Sequence, residues 1–320
     1  MPGSRCGPGD GTDGAAYVAC NPLKYLVFLA FTTIVSPASA NAGESIPANG
    51  DLLTSVWVEA WGGNSFVDTC CGADTDDDEY PAFGGAARAS LPFGEALSMQ
   101  LDVEGQRNLP TENAGTSNFQ HFIGGGGHLS YRHPDSYLVG LFAGGGEANG
   151  GDGDGSGLLW LAGVEAQYYF DQFTVYGQAG YLDSHDAGDD NFQEAFFLRG
   201  VGRYFPTDHS KVTVDLQFAS GKIDDGCGGV LEFCDGHLFS WAARYDQAIS
   251  ESPVSFFVAY RGFTNVKDGL ERDRAFENTF LAGLSIAFGT PSLKALDRQG
   301  ATLDLPDAGR WVGYTTEVLD

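Results

Sequence analysis

Residues 158–181 leave few choices of fold. They read LLWLAGVEAQYYF, then DQ, then FTVYGQAGY. In the first run Leu158, Trp160, Ala162, Val164, Ala166, Tyr168 and Phe170 fall on one face, and Leu161, Gly163, Glu165, Gln167 and Tyr169 on the other. The second run puts Phe173, Val175, Gly177, Ala179 and Tyr181 against Thr174, Tyr176, Gln178 and Gly180. A period of two is that of an extended strand. A two-residue link, Asp171-Gln172, makes the pair a hairpin. Aromatics at both ends of the apolar face, with Glu and Gln opposite, point to lipid outside and water or a polar plug inside.

The same pattern recurs about a dozen times, near 52–62, 82–93, 97–106, 119–131, 137–146, 158–170, 173–182, 195–205, 212–221, 238–249, 254–264 and 279–289. The pattern repeats but the sequence does not, and no long helical period follows the N-terminal region. Links alternate between short (94–96, 132–136, 171–172, 206–210, 250–253) and long and polar (64–79, 147–157, 183–194, 222–237, 265–278). Short turns at one end and long loops at the other are the arrangement of a transmembrane barrel, and an even strand count puts both termini at the short-turn end. The expected fold is therefore all-β: an antiparallel transmembrane β-barrel of about twelve strands, with short periplasmic turns and long extracellular loops. Aromatics fall in two groups. Phe93, Tyr137, Phe170, Phe173, Tyr204, Phe256 and Phe288 lie near the short turns, and Trp160, Tyr181, Phe196, Trp241 and Phe280 near the long loops. Two aromatic girdles are expected at the two interfaces of a bilayer. A soluble barrel core would have to pack too many charges on its second face.

The chain resembles the small outer-membrane β-barrel, porin-like proteins of Gram-negative bacteria over residues 52–288. The resemblance is one of pattern, and the final run NTFLAGLSIAF is similar to the aromatic-ended last strand by which that family is recognised for insertion. It implies a bacterial outer-membrane location, with lipid and lipopolysaccharide as partners. This chain departs from the pattern in continuing past Phe288.

At the N-terminus, Lys24, the apolar run 25–35 and Pro37-Ala38-Ser39-Ala40 form a secretory signal, with cleavage expected after Ala40 or after Ala42. The apolar run is too short to span a bilayer. Residues 1–16 are unlike a signal n-region, and translation is read as starting near Val18 or Leu23. The expected organisation is an N-terminal extension and signal peptide over 1–40, a short segment over 41–51, the barrel over 52–289 and a periplasmic tail over 290–320. The tail reads as a loose polar end rather than a plug or a cell-wall contact.

A net charge of −26 excludes nucleic-acid binding, which needs a basic face. Of six cysteines, Cys70, Cys71, Cys227 and Cys234 follow the cleavage point. Cys227 and Cys234 share a long loop and are expected to form a disulfide. Cys70 and Cys71 are adjacent, and a strained vicinal bridge, a link to another loop and a free pair all stay open. The acidic loops (Asp74, Asp76, Asp77, Asp78, Glu79; Asp152, Asp154) could bridge through divalent cations to lipopolysaccharide phosphates, although solvated loops are the preferred reading. No cofactor and no protein-held metal are expected. The glycine tracts 124–127 and 144–146 lack a following helix and a GK[ST] ending, so they mark bends or close approach of a neighbour rather than phosphate loops.

The candidate site is a belt of charge on the inner face: Arg88, Asp102, Glu104, Glu165, Arg199, Arg203, Asp215, Arg244 and Arg261, with Glu59, His128 and Asp246 beside them. Hairpin arithmetic sets Arg88 opposite Asp102, and Asp215 between the levels of Arg199 and Arg203. Such a belt either selects anionic solutes at a constriction or braces a closed lumen. No catalytic set is assigned, since no nucleophile motif frames His128 with Ser130, His121, or His185 among its aspartates. The expected function is a pore or passive channel for small solutes. The alternatives are a structural or surface-interaction barrel with a closed lumen and, after it, a membrane-embedded hydrolase.

Overall fold

The computed structural model describes residues 52–70, 78–109, 121–149, 156–185, 192–224, 233–249, 252–267 and 274–315. Twelve strands follow in order: β1 (Ser55–Cys70), β2 (Asp78–Phe93), β3 (Leu97–Asn108), β4 (His121–His133), β5 (Tyr137–Asn149), β6 (Ser156–Tyr169), β7 (Phe173–His185), β8 (Phe192–Thr207), β9 (Ser210–Asp224), β10 (Phe233–Ala248), β11 (Val254–Lys267) and β12 (Arg274–Phe288). Each pairs antiparallel with its sequence neighbours, and β1 pairs with β12, so the sheet closes on itself and has no edge. Two helices follow: α1 (Leu293–Gln299) and α2 (Ala308–Thr315). No helix among the described residues is long and apolar enough to cross a membrane.

The alternation seen in the sequence sorts the two faces. Outward stand Leu158, Trp160, Val164, Tyr168, Phe173 and Val175, all exposed, while Leu161, Glu165, Gln167 and Tyr176 point in and are buried. At the short-turn end Phe93, Tyr137, Phe170, Phe173, Tyr204, Phe256 and Phe288 are exposed, with Phe173 and Tyr204 stacked at 4.6 Å. At the other end Tyr181 lies between Trp160 at 5.6 Å and Phe196 at 5.2 Å. Ten residues separate Trp160 from Phe170, and at about 3.3 Å per residue on a strand tilted by about 40° they span roughly 25 Å, the height of a lipid-facing band.

The strands run further toward the long-loop end than the alternation alone indicates. β1, for example, continues to Cys70 and β2 begins at Asp78. Polar residues join the ladder there because cross-strand hydrogen bonds do not require an apolar face. Arg132, assigned to a turn by the sequence, is the penultimate residue of β4 and is buried.

The largest difference from expectation concerns the tail. Residues 290–312 of the segment expected to hang in the periplasm are folded into the barrel. Gly289 (φ +80°) takes the chain out of β12, and a Cβ there would collide with the Thr54 carbonyl oxygen. Ser292 caps α1 by accepting a hydrogen bond from the Ala295 N–H at 3.1 Å. Residues 300–307 then run without regular structure through the lumen to α2. Leu303 is fully buried against Leu138, Tyr169, Tyr176 and Val201 of the wall. The physical reason is amphipathy that the isolated tail cannot satisfy. Leu296, Leu303, Leu305, Trp311 and Val312 are too many apolar side chains for a loose end, and the barrel interior offers each a partner. Residues 1–51, which hold the signal reading, lie outside the described residues, as do the acidic loop residues 74–77, 152 and 154.

Candidate functional site

The charged side chains of the inner face divide in two by the partners they take. On the β2–β9 side they converge on the C-terminal segment. Arg88 and Asp102 are register partners, as the hairpin arithmetic requires. Yet Arg88 makes its ion pair with Asp304, at 3.8 Å, while its guanidinium lies 4.4 Å over Trp57. Asp215 pairs in register with Val201, between Arg199 and Arg203. Arg199 holds Asp215 through Nε (3.0 Å) and Nη2 (2.6 Å), and turns Nη1 to the Asp304 carboxylate at 2.9 Å. The same Nη1 also donates to the carbonyls of Asp304 and Leu305. Arg203 is committed to the segment: Nη1 donates to Asp297 and to the Thr302 hydroxyl, both at 2.6 Å, and Nη2 to the Thr302 carbonyl at 3.1 Å.

Behind this grip lies a buried polar cluster. The two ring nitrogens of His128 each face a carboxylate: Nδ1 is 2.9 Å from Glu165 and Nε2 is 2.8 Å from Asp102. Satisfying both needs two N–H groups, or a proton on one of the carboxylates. Glu165 also accepts from the Tyr176 hydroxyl at 2.7 Å. Gln178 and Gln100 then tie the cluster to the segment. Gln178 donates to the Asp304 carbonyl at 2.9 Å. Gln100 donates to the Leu303 carbonyl at 2.6 Å and accepts from its N–H at 3.1 Å. Glu104 lies on the same face, with Asp307, Arg88, Asp102 and Asp304 as its charged neighbours.

Arg244 and Arg261 form a different group. Arg244 pairs with Glu59 and Asp246, both at 2.7 Å, and stacks 3.6 Å over Phe257. These partners all belong to the wall. Arg261 reaches across the lumen from β11 to Gln106 of β3.

Asp297 accepts hydrogen bonds from Thr174 and Arg203, both at 2.6 Å, and from the Thr302 hydroxyl at 2.8 Å. Asp304 faces the guanidinium groups of Arg199, Arg88 and Arg203.

Nearer the long-loop end the segment is held by apolar contacts. Ala308, Trp311 and Val312 join a buried cluster with Phe142, Leu159, Leu182, Phe192, Phe197 and Phe263. One further buried pair accompanies it, Arg310 to Glu277 at 2.6 Å. The glycine tracts find their neighbour here. Gly126 and Gly144 face each other across β4 and β5, and a Cβ on either would stand 2.9 Å from a Leu305 methyl.

Several residues of this site escaped the sequence reading: Gln100, Arg132, Tyr176, Gln178 and every residue contributed by the tail. Gln100, Tyr176 and Gln178 carried a signal, as polar groups on the inward phase of their strands. Arg132 donates to the Gly300 carbonyl at 2.7 Å. Ser130 pairs with Ser98 at 2.8 Å, and both nitrogens of His128 are taken by carboxylates, so these two do not form a nucleophile–base pair. The side chains of Cys70 and Cys234, and all of Cys71 and Cys227, lie outside the described residues, and the disulfide reading with them.

A closed antiparallel barrel, apolar outside between two aromatic girdles and polar within, is an outer-membrane β-barrel. In this one the chain's own C-terminal segment occupies the interior. No protein-family model and no curated protein matches the sequence. Among solved structures it is similar to an outer-membrane channel from Pseudomonas putida F1, at 9% identity over 77% of this chain and 100% of that chain, with a TM-score of 0.45. It is also similar to the NanC porin, at 11% identity over 72% and 98% of the two chains and a TM-score of 0.41. LpxR from Salmonella typhimurium matches at 9% identity over 73% and 99%, with a TM-score of 0.39. The assignment to the class rests on the barrel's own faces and girdles.

Proposed function

We propose that the protein is a small-solute channel of the outer membrane whose lumen is held shut by its own C-terminal segment. One observation carries this reading. Arg88, Arg199 and Arg203 converge on Asp304, a carboxylate from outside the barrel wall that stands where an anionic solute would pass. Twelve strands enclose more room than the filled eight-stranded barrels, and here the added room holds a removable stretch of chain rather than wall side chains. With the segment out, Arg203 loses Asp297, Thr302 and Asp304, Arg88 loses Asp304 and Arg132 loses Gly300. The cations so released favour anions in the path.

A chain ending at Gly289, reconstituted in planar bilayers under a salt gradient, tests this. The expected reversal potential is that of an anion-preferring pore, and Arg203→Glu in the same chain shifts it toward cations. The second reading, a structural barrel that never conducts, is favoured by the buried Trp311 cluster. It gains if the folded, truncated barrel, checked by heat-modifiable gel mobility, passes no current.

A further inference from the structure

The C-terminal segment does more than enter the lumen: it runs from one end of the barrel to the other. At the short-turn end Arg298 donates to the carbonyls of Phe170 and Asp171, which lie in the turn between β6 and β7. The Lys294 N–H donates to the Asp208 carbonyl in the turn between β8 and β9, at 3.2 Å. At mid-height, Asp304 meets Arg199. Arg310 then meets Glu277, three residues from the long-loop end of β12. Ala308, Trp311 and Val312 pack in a cluster that includes Phe192, the first residue of β8, and Ala148, the penultimate residue of β5. Both of these mark the long-loop rim. Helix α2 ends at Thr315, one turn beyond Trp311.

From this order of contacts we infer that the segment makes a thirteenth crossing of the membrane, inside the twelve-stranded wall, and brings Thr315 to the extracellular end of the barrel. Ser55 and Thr315 then lie at opposite ends of the wall. β1 starts at the short-turn end with Ser55, whose hydroxyl accepts from the Ala301 N–H at 2.8 Å. An even strand count puts both ends of the strand run at the periplasm, and the threaded segment carries the chain back out to Thr315. This topology holds whether or not the lumen ever conducts, because it depends on the segment's path alone. An antibody added outside the cell then reaches a tag placed after α2 without crossing the membrane.

The test uses the full-length chain with one epitope tag after Asp320 or, in a second strain, between Gly43 and Glu44, just past both expected signal cleavage points. Antibody staining of intact cells is compared with staining after permeabilisation. The C-terminal tag is expected to stain equally in both states, and the N-terminal tag to gain at least tenfold on permeabilisation. A C-terminal tag that stains only permeabilised cells overturns the inference. Because a tag can stall threading, the untagged protein gives a second readout. Carboxypeptidase added to intact cells is expected to shorten the protein, as read by intact mass. Shortening that requires permeabilised cells overturns the inference as well.

Discussion

The two ends of the threaded segment are held by different physics. From Asp297 to Leu305 the grip is polar. Arg203, Arg199, Arg88, Gln100 and Gln178 aim donors at fixed backbone and carboxylate positions. From Ala308 to Val312 it is mainly apolar burial, with Trp311 1% exposed. Directional bonds set register: a shift of the segment by one residue would take Asp304 away from Arg88, Arg199 and Arg203, and Asp297 and Thr302 away from the buried Arg203. Apolar burial is indifferent to register and scales with area. The lower half thus specifies where the segment sits, and the upper half supplies much of the reason it stays.

That division can be broken by substitution at either end. The largest effect is expected for Asp304→Lys, which puts a cation among Arg88, Arg199 and Arg203. Breaking a buried pair costs about 3–5 kcal/mol. Trypsin cleavage after Lys294, Arg298 and Arg310 in the folded protein should therefore quicken by more than about a hundredfold. Unchanged protection would show that the polar half contributes nothing to docking. Trp311→Ala is expected to cost about 3–5 kcal/mol as a large-to-small core change, less where the site collapses. Here cleavage at Arg310 should rise well before cleavage at Arg298. If the two sites respond together, the segment docks as a single unit and the division into halves fails.

Much of the wall was legible in the sequence, because the strand period of two and the hairpin turns together determine register. From Gly94-Glu95-Ala96 alone, Arg88 falls opposite Asp102, and the structure pairs them. What register could not give was the destination of each charge. Arg88 turns away from Asp102 to Asp304, and Asp102 turns to His128, because a lumen brings together residues far apart in sequence. The tail was misread for a related reason. Its leucines and Trp311 form no stripe of their own, and their burial becomes visible only once a barrel interior exists to receive them. The glycine tracts signalled that a neighbour comes close; Leu305 is that neighbour, from the last part of the chain.

The central claim is that the segment from Thr290 onward closes the barrel, and single-channel recording tests it most directly. Full-length protein should insert and stay silent apart from rare openings. The chain ending at Gly289, whose last strand then finishes on Phe288, should give steady conductance under the same voltage and salt. Equal conductance from the two proteins would contradict the account.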